Sequence, residues 1–490
     1  MSLNNDQPMR HTVTHAFSDR GPKLLRDLVS LLGGQFFSSL IGFAGFTYLA
    51  RVLDPPSYGS MEYAIGVTSF FTVIVENGLG PVGVRHLSRD RGRAAELASR
   101  IPAARVLLAL ATIPIVGLSS YITRQDARTT GLVWLFAISL MGIPWRQDWL
   151  LQALDKMSQA APGPAVRMAA FAAGVFIFVH DPKDLMIVGL VAIASEAIGS
   201  AYYILAQHFW ALPFRVEMKI AAVLNLIREG ASLSLTNIVW TFTQFAPLFL
   251  VASLIGGSET AWFGAPQRIL LAALAFGFLY HFNLYPISAR RLVENRADWN
   301  QLMRTSLRVS AWGGIGITLA MTLLSEPLML LIFGKKFVPS VPVFAILIWV
   351  LPIRLLADHA RWALVASALQ SYLLVAEISG AVALLVAGAI LVPLSGAVGA
   401  AIAAVAGNLT TWAVAHYLAV RHVGALPSIY VTAIPAIAAL VCGWIGYWIS
   451  PGVFVGTAIA LGAYLICAQI ISGGLQSDIR RLAYAKNTSA

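Results

Sequence analysis

Charged residues and cysteine are both scarce in this sequence. Asp, Glu, Lys and Arg make up 12% of the 490 residues, whereas apolar residues make up 58%, which is far from the composition of a soluble domain. The two cysteines, Cys442 and Cys467, lie in apolar stretches, which favours a packing role over a disulfide or a metal pair. The composition therefore indicates a protein that lies in a lipid bilayer.

Motifs for catalysis and for nucleotide or metal binding are also missing. The nine histidines are scattered without the spacing of metal ligands, and there is no Asp-x-Asp pair for a nucleotide sugar. The stretch Phe333-Gly-Lys-Lys lacks the first glycine and the Ser/Thr of a P-loop. We therefore expect neither an enzyme nor an ATP-driven pump, and no catalytic residue, cofactor or metal site.

Continuous apolar runs of about 20 residues, the length that a helix needs to cross a bilayer, recur along the chain. Because they do not alternate with polar residues, they predict helices rather than a membrane β-barrel. We predict an all-α polytopic fold with fourteen spans. In order, the predicted spans 1 to 14 are 28–50, 58–78, 104–122, 131–151, 165–180, 184–208, 230–255, 262–284, 309–333, 340–365, 372–394, 397–420, 429–449 and 452–472.

The basic residues predict the orientation of these spans. Of the 34 Lys and Arg residues, six fall in loops that would face outward, six fall within spans, and the other 22 lie on the tails and the opposite loops. By the positive-inside rule both termini are cytoplasmic. Two basic segments, RHLSRDRGR from Arg85 and SARRLVENR from Ser288, are explained by this topology and by attraction to anionic membrane lipids, so the net charge of +11 does not require nucleic-acid binding.

An internal repeat organises the chain. An offset of 205 residues aligns Gly59 with Gly264, Pro81 with Pro286 and Arg85 with Arg290. Spans 1–6 and 7–12 then form two copies with the same orientation, which predicts a pseudo-two-fold axis along the membrane normal. The predicted organisation is a cytoplasmic basic tail (1–27), an N-lobe (28–210), a cytoplasmic linker (211–228), a C-lobe (229–421), spans 13 and 14 (422–472) and a cytoplasmic tail (473–490).

The fourth helix of each lobe carries a Pro-x-Arg element, Pro144-Trp-Arg146 and Pro352-Ile-Arg354. Proline interrupts a helix, and paired interruptions at equivalent positions indicate a transporter's binding site. Arg354, Asp358 and Arg361 follow at i, i+4 and i+7 on one helical face, which favours a cavity over lipid.

The other charged residues within the spans have competing interpretations. Arg105 and Arg167 lie within a turn of a cytoplasmic helix end and are expected to snorkel to the membrane surface. Arg146 and Asp148 either snorkel or face a cavity, whereas Arg268 is expected to face the cavity near its outer half.

Four acids are candidates for proton or ion coupling. Glu196, near the middle of span 6, is either a proton carrier or a neutral packing residue, and Glu62, Glu76 and Glu377 are either coupling residues or helix-end residues. Polar stripes that include Gln35 in span 1 and Asn237 and Gln244 in span 7 either face the lumen or bond neighbouring helices.

Three stretches resemble a specific family. Residues 47–64, TYLARVLDPPSYGSMEYA, and 76–89, ENGLGPVGVRHLSR, resemble the N-terminal signature of the Wzx-type polysaccharide flippases. Residues 331–349, LIFGKKFVPSVPVFAILIW, resemble their loop between spans 9 and 10, and the predicted layout is that of the multidrug/oligosaccharidyl-lipid/polysaccharide exporter (MOP) superfamily. Asn77 departs from the pattern, because relatives commonly carry an acid directly before Gly-Leu.

The resemblance implies a flippase for undecaprenyl-diphosphate-linked oligosaccharide in the bacterial inner membrane, acting by alternating access in lipopolysaccharide or exopolysaccharide synthesis. The partners that it implies are the lipid-linked oligosaccharide, membrane lipids, and a polysaccharide polymerase with its export machinery. Guanidinium groups suit a diphosphate. We therefore predict that Arg146 and Arg354 approach one diphosphate across the axis, with Asp148 and Asp358 as their counter-ions in the empty cavity.

Two other functions compete with this one. An antiporter of the multidrug and toxin extrusion type has the same layout, but for cationic drugs it would need unpaired acids, whereas the cavity candidates here include Arg354 and Arg361. A membrane glycosyltransferase or polymerase would need a sizeable loop with paired carboxylates, which the sequence lacks.

Overall fold

The computed structural model describes residues 21–210, 212, 219–424, 428–449 and 452–471, together with 476, 478 and 480. Helices make up almost all of this part of the chain. The helices before residue 212 are Gly21–Val52, Pro55–Glu76, Leu79–Arg89, Ala94–Ile122, Ala127–Ser139, Asp148–Ala153, Met157–Ala160, Pro162–Phe178 and Leu185–Trp210. Those after residue 219 are Ile220–Leu254, Gly257–Glu294, Arg296–Leu323, Ser325–Phe333, Ser340–Leu347, Val350–Ala366, Gln370–Val423, Ser428–Ile449 and Val453–Ile471.

Each predicted span lies in one of these helices or in a broken pair of them, and spans 11 and 12 share the helix Gln370–Val423. We keep the span numbers for these helices. Within the described ranges, 11 helical stretches are long and apolar enough to cross a membrane, or up to 12 if a pair bent by 71° near Leu324 counts as one. The predicted all-α membrane fold is confirmed. The count of fourteen spans and the pseudo-two-fold axis stay predictions.

The longest helix, Gln370–Val423, has 54 residues and contains a break where the sequence predicts the boundary between spans 11 and 12. Ser395 and Gly396 leave the helical conformation there, and Gly396 has a φ of +58°, which a residue without Cβ adopts without strain. The carboxylate of Glu259 accepts a hydrogen bond from the amide of Ala397 at 2.7 Å, which caps the second segment.

Span 2 shows how the local sequence sets helix ends. Asp54 caps the helix by accepting from the amide of Ser57 at 3.3 Å, and Pro55 occupies the first helical position, where no amide hydrogen is needed. The helix ends at Asn77, whose φ of +43° places it in the left-handed region. The Asn77 side chain donates to the carbonyl of Ile227 at 2.8 Å, so this residue ties the break to the helix of span 7.

Span 4 breaks at the predicted proline. The helix Ala127–Ser139 tightens into a 3₁₀ turn, Leu140–Trp145, and Arg146 then adopts an extended conformation before the helix Asp148–Ala153 begins. The break leaves the Arg146 carbonyl without a helical partner, and Arg105 Nη1 donates to it at 2.8 Å. The proline thus places Arg146 at a fixed gap in the span.

The buried apolar clusters differ between the two ends of the molecule. At the predicted outer end, one cluster includes residues of both lobes, among them Tyr58, Met61, Phe263 and Phe337. At the opposite end the lobes have separate clusters, one around Trp149 and Leu97 and another around Trp299. The two lobes therefore share one apolar cluster at the predicted outer end. At the predicted cytoplasmic end, the helix of span 7 packs on the N-lobe cluster through Val223 and Leu226, and the cluster around Trp299 is separate.

Candidate functional site

A cavity of about 680 Å³ lies at the predicted cytoplasmic end, where the lobes have separate apolar clusters. Its wall comes from the N-lobe and from span 7. The charged and amide side chains that line it are Arg85, Arg105, Arg146, Arg167, Glu76, Asp148, Gln35, Gln152 and Asn237. This volume is in the range of sites that hold a small organic ligand or a headgroup.

Two cavity arginines share one carboxylate. Arg146 Nη2 donates to both oxygens of Glu196 at 2.7 and 2.8 Å, and Arg167 Nη1 donates to Glu196 at 3.0 Å. Glu76, at the cavity edge, lies 3.7 Å from Arg146. The Glu196 side chain is mostly buried, and the two guanidinium groups stabilise its negative charge in place of water. Asp148, the predicted counter-ion of Arg146, lines the cavity, but Glu196 and Glu76 form the ion pairs.

Arg105 lies in the cavity wall and has no ion-pair partner among the described residues. Its side chain is buried, with 4% exposure, and its Nη1 bond goes to the neutral carbonyl of Arg146. No carboxylate within the described residues pairs with it, and its Nε has no hydrogen-bond partner there. The expectation that Arg105 and Arg167 snorkel is wrong, because the break in span 4 and Glu196 in span 6 give both arginines partners inside the protein.

The second Pro-x-Arg element does not reach this cavity. Span 10 is interrupted between Ser340–Leu347 and Val350–Ala366, just before Pro352. Arg354 and Arg361 both turn to the buried Glu377 of span 11, at 3.6 and 3.5 Å. Glu377 therefore replaces Asp358, the predicted counter-ion of Arg354, and the described cavity wall contains no residue of span 10.

Arg268 lies at the junction of the two lobes. Its Nε and Nη2 donate to Glu62 at 2.9 to 3.1 Å, and its guanidinium carbon lies 3.8 Å above the ring of Phe46. It does not line the described cavity. Instead, it links span 8 of the C-lobe to spans 1 and 2 of the N-lobe, on the side where the lobes are packed together.

Of the residues in the predicted polar stripes, some line the cavity and others bond to neighbouring helices. Gln35 of span 1 and Asn237 of span 7 line the cavity, whereas the carbonyl of Gln244 accepts from Gln267 of span 8 at 2.6 Å. The first turns of span 7 therefore face the cavity, whereas the Gln244 carbonyl bonds a neighbouring helix of the same lobe.

Arg85 also lines the cavity. From the sequence, the basic segment that begins at Arg85 is attributed to membrane orientation and to attraction to anionic lipids. Arg85 pairs with Glu229, and His86 lies 3.0 Å from the same carboxylate. Burial acts to raise the pKa of Glu229, which precedes span 7, but the hydrogen bonds from His86 and Arg85 outweigh it, so the pKa lies below its ordinary value. The alignment of Arg85 with Arg290 was the one sign in the sequence that this arginine has a fixed position.

Solved structures with the same fold are transporters and a flippase. The lipid II flippase MurJ, in an inward closed conformation, aligns over 90% of this chain and 98% of its own, with 14% identity and a TM-score of 0.74. An inward-facing multidrug resistance MATE family transporter of the MOP superfamily aligns over 79% of this chain and 94% of its own, with 13% identity and a TM-score of 0.66. An outward-facing structure of such a transporter aligns over 82% of this chain and 95% of its own, with 13% identity and a TM-score of 0.54.

No curated protein matches the chain significantly in sequence. The family model for polysaccharide biosynthesis proteins, however, matches residues 24–291, which is more than half of the chain. This match agrees with the stretches that resemble polysaccharide flippases and confirms that resemblance. The chain therefore belongs to the polysaccharide biosynthesis protein family and has the MOP-superfamily fold, that of multi-pass membrane transporters and flippases rather than of enzymes.

Proposed function

We propose that this protein flips an undecaprenyl-diphosphate-linked oligosaccharide across the bacterial inner membrane. The observation that carries the proposal is Arg105, a buried guanidinium in the cavity wall whose described partners include no carboxylate. Glu76 and Asp148 act on this charge without forming an ion pair with it, so an anionic ligand in direct contact would offset much of the cost of burying Arg105. With Arg146 and Arg167, which share Glu196, it forms a group of three arginines suited to a diphosphate.

The cavity and the lobe contacts support transport by alternating access. The cavity lies at the end where the lobes have separate apolar clusters, and the ion pair between Glu62 and Arg268 lies at the end where they share one. With both termini in the cytoplasm, as the basic loops predict, this is a state that takes up the carrier from the cytoplasmic leaflet. The parts that would move against each other are the N-lobe (28–210) and the C-lobe (229–421) predicted from the sequence.

Glu196 has the role of a counter-ion in this proposal. Its contacts to Arg146 and Arg167 fix two guanidinium groups at the cavity wall before the ligand arrives. A diphosphate then completes the charge balance, and the first sugars occupy the rest of the cavity volume. A role for Glu196, Glu62, Glu76 or Glu377 in ion coupling stays a prediction.

The test measures binding and flipping in proteoliposomes that contain undecaprenyl-diphosphate-linked oligosaccharide. We expect Arg105→Ala to weaken carrier binding by about 2 to 5 kcal/mol and Arg105→Lys to rescue it in part, because a point charge replaces a planar fork. Arg89→Ala, at an exposed arginine outside the cavity, is the matched control. Transport of a cationic drug with no effect of the carrier lipid would instead identify a drug exporter.

A further inference from the structure

Two buried histidines of the C-lobe are bonded to each other, away from the cavity. His281 of span 8 and His359 of span 10 are 1% and 2% exposed, and their Nε2 and Nδ1 atoms lie 3.1 Å apart. Ser306 of span 9 joins them at 2.8 Å from His359 Nε2, and the Tyr280 hydroxyl lies 2.7 Å from the Ser306 oxygen. Three helices therefore meet at one continuous hydrogen-bonded chain.

The carbonyl partners assign the hydrogen atoms in this chain. His281 Nδ1 lies 2.9 Å from the Gly277 carbonyl, which can only accept, so Nδ1 carries the hydrogen and Nε2 of the neutral ring is an acceptor. His359 Nδ1 lies between that acceptor and the Leu355 carbonyl, at 2.8 Å, so it carries a hydrogen as well. His359 Nε2 is then free to accept from Ser306, whose oxygen accepts in turn from Tyr280.

This arrangement has room for one proton. An added proton binds His359 Nε2 when the Ser306 hydroxyl turns to accept instead of donating, and the His359 imidazolium then donates from Nδ1 to His281 Nε2. A second proton on His281 Nε2 would face the hydrogen of His359 Nδ1 and would place two like charges in contact. His281 therefore stabilises a charge on His359 and cannot carry one at the same time.

The charged groups near the pair lie on spans 10 and 11. Asp358 directly precedes His359 on span 10. Arg354 and Arg361 lie on the same helix, and Glu377 of span 11 holds both, so their charges are partly balanced. The groups from spans 8 and 9 that face the pair, Tyr280 and Ser306, are neutral.

Span 8 connects this pair to the contact between the lobes. His281 and Arg268 lie on one continuous helix, Gly257–Glu294, about 20 Å apart at 1.5 Å per residue. We propose that His359, with His281 as its acceptor, is a one-proton binding site whose occupancy couples proton movement to transport. The coupling rests on the transport function proposed above, whereas proton binding does not.

Proton binding is tested first on the purified protein in lipid nanodiscs, with ¹⁵N-labelled histidine rings followed between about pH 5 and 8. The signals are assigned by difference with His281→Gln and His359→Gln. We expect one ring to become an imidazolium while its partner stays neutral, and His281→Gln to move that titration to lower pH. The proposal fails if both rings take up a proton each or if both stay neutral.

Coupling is tested by the pH dependence of flipping. We expect a plot of log rate against pH to have a slope of about one in the wild type, because one proton is linked to the step. Both single variants should lose this slope, and the double variant should behave like the singles because the site is shared. The control His180→Gln, at an exposed histidine, should keep the slope. The coupling is overturned if His180→Gln loses the slope or if His359→Gln keeps it.

Two further results keep the outcomes separate. If His359→Gln does not fold, Ser306→Ala removes only the hydroxyl that bonds His359 Nε2, and it must shift the ¹⁵N titration if the site is real. If the wild type flips no lipid-linked carrier, the proposed function fails, and the ¹⁵N titration alone then decides whether the histidine pair binds a proton.

Discussion

Arg51 and Lys336 each bond to the end of the other's helix across the two lobes. The guanidinium of Arg51 donates to the carbonyl of Ile332 at 3.2 Å and to that of Leu331. Lys336 donates to the carbonyls of Arg51 and Leu53 at 3.5 and 3.3 Å. Each cation thus satisfies free carbonyls at a helix C-terminus, where the helix dipole favours positive charge.

This contact joins the stretches through which the sequence resembles the polysaccharide flippases. Arg51 and Tyr58 belong to TYLARVLDPPSYGSMEYA, and Lys336 and Phe337 belong to LIFGKKFVPSVPVFAILIW. The rings of Tyr58 and Phe337 pack edge to face, with centroids 5.3 Å apart. The two stretches therefore form the closure between the lobes at the predicted outer end.

We expect Lys336→Ala to shift the protein toward a state that is open on this side. Interactions of a cation with a helix C-terminus contribute about 0.3 to 1 kcal/mol each, so the population of the open state should rise by a few fold. Spin labels at Ala127 and Glu326, exposed positions at the predicted outer ends of the two lobes, report the change as a longer distance. Lys335→Ala, at the exposed neighbouring lysine, is the control, and equal distances in both variants would refute the closure.

Arg146 and Arg354 should differ in their effects although their sequence elements match. Arg146 lines the cavity, so Arg146→Ala should weaken binding of the diphosphate carrier at least tenfold, which corresponds to about 1.4 kcal/mol. Arg354→Ala should leave binding near normal and lower the thermal unfolding midpoint, because Glu377 loses one of its two cations. Carrier binding and unfolding are measured on both variants. Equal loss of binding would restore the predicted site in which both arginines contact one diphosphate.

The sequence predicts the positions of the helices and of their breaks well, because bilayer thickness sets helix length and proline or glycine interrupts a helix. Pro144 marks the break in span 4, and the boundary between spans 11 and 12 falls at Gly396. Ion-pair partners are harder to predict, because they depend on how each helix is rotated toward its neighbours. Asp148 and Asp358 are the acids closest in sequence to Arg146 and Arg354, yet the acids that pair with these arginines come from other helices.

The cavity wall shows the same limit. Arg105 lies near a helix end, where a long side chain can usually reach the membrane surface. It stays inside because the break in span 4, 41 residues further along the chain, presents the Arg146 carbonyl to it. The sequence of span 3 alone contains no sign of that partner.

The contact between Glu229, Arg85 and His86 should make stability depend on pH in acid. Because the pKa of Glu229 is lowered in the folded state, its contribution is present above the ordinary carboxyl pKa and is lost as the pH falls through the lowered value. Glu229→Gln should therefore lower the unfolding midpoint at neutral pH, and the difference from the wild type should vanish in acid. Glu294→Gln, at an exposed acid, serves as the control. A difference that persists below the folded pKa would show that the effect is not one of charge.

The ion pair between Glu62 and Arg268 should be the strongest single link between the lobes. The Glu62 side chain is 4% exposed and that of Arg268 18%, so Arg268→Ala leaves a buried carboxylate without its partner and should cost about 3 to 5 kcal/mol. Glu62→Gln leaves the Arg268 guanidinium without its counter-ion but should cost less, because that group is more exposed than the carboxylate and still lies over the Phe46 ring. The double variant Glu62→Gln/Arg268→Ala should be more stable than Arg268→Ala, since no charge stays buried. Arg268→Lys keeps the charge but loses the two-pronged guanidinium contact with both carboxylate oxygens. Its stability should therefore lie between that of the wild type and that of Arg268→Ala. Unfolding midpoints of the four variants in one lipid environment measure the coupling, and additive effects of the two positions would contradict a direct pair.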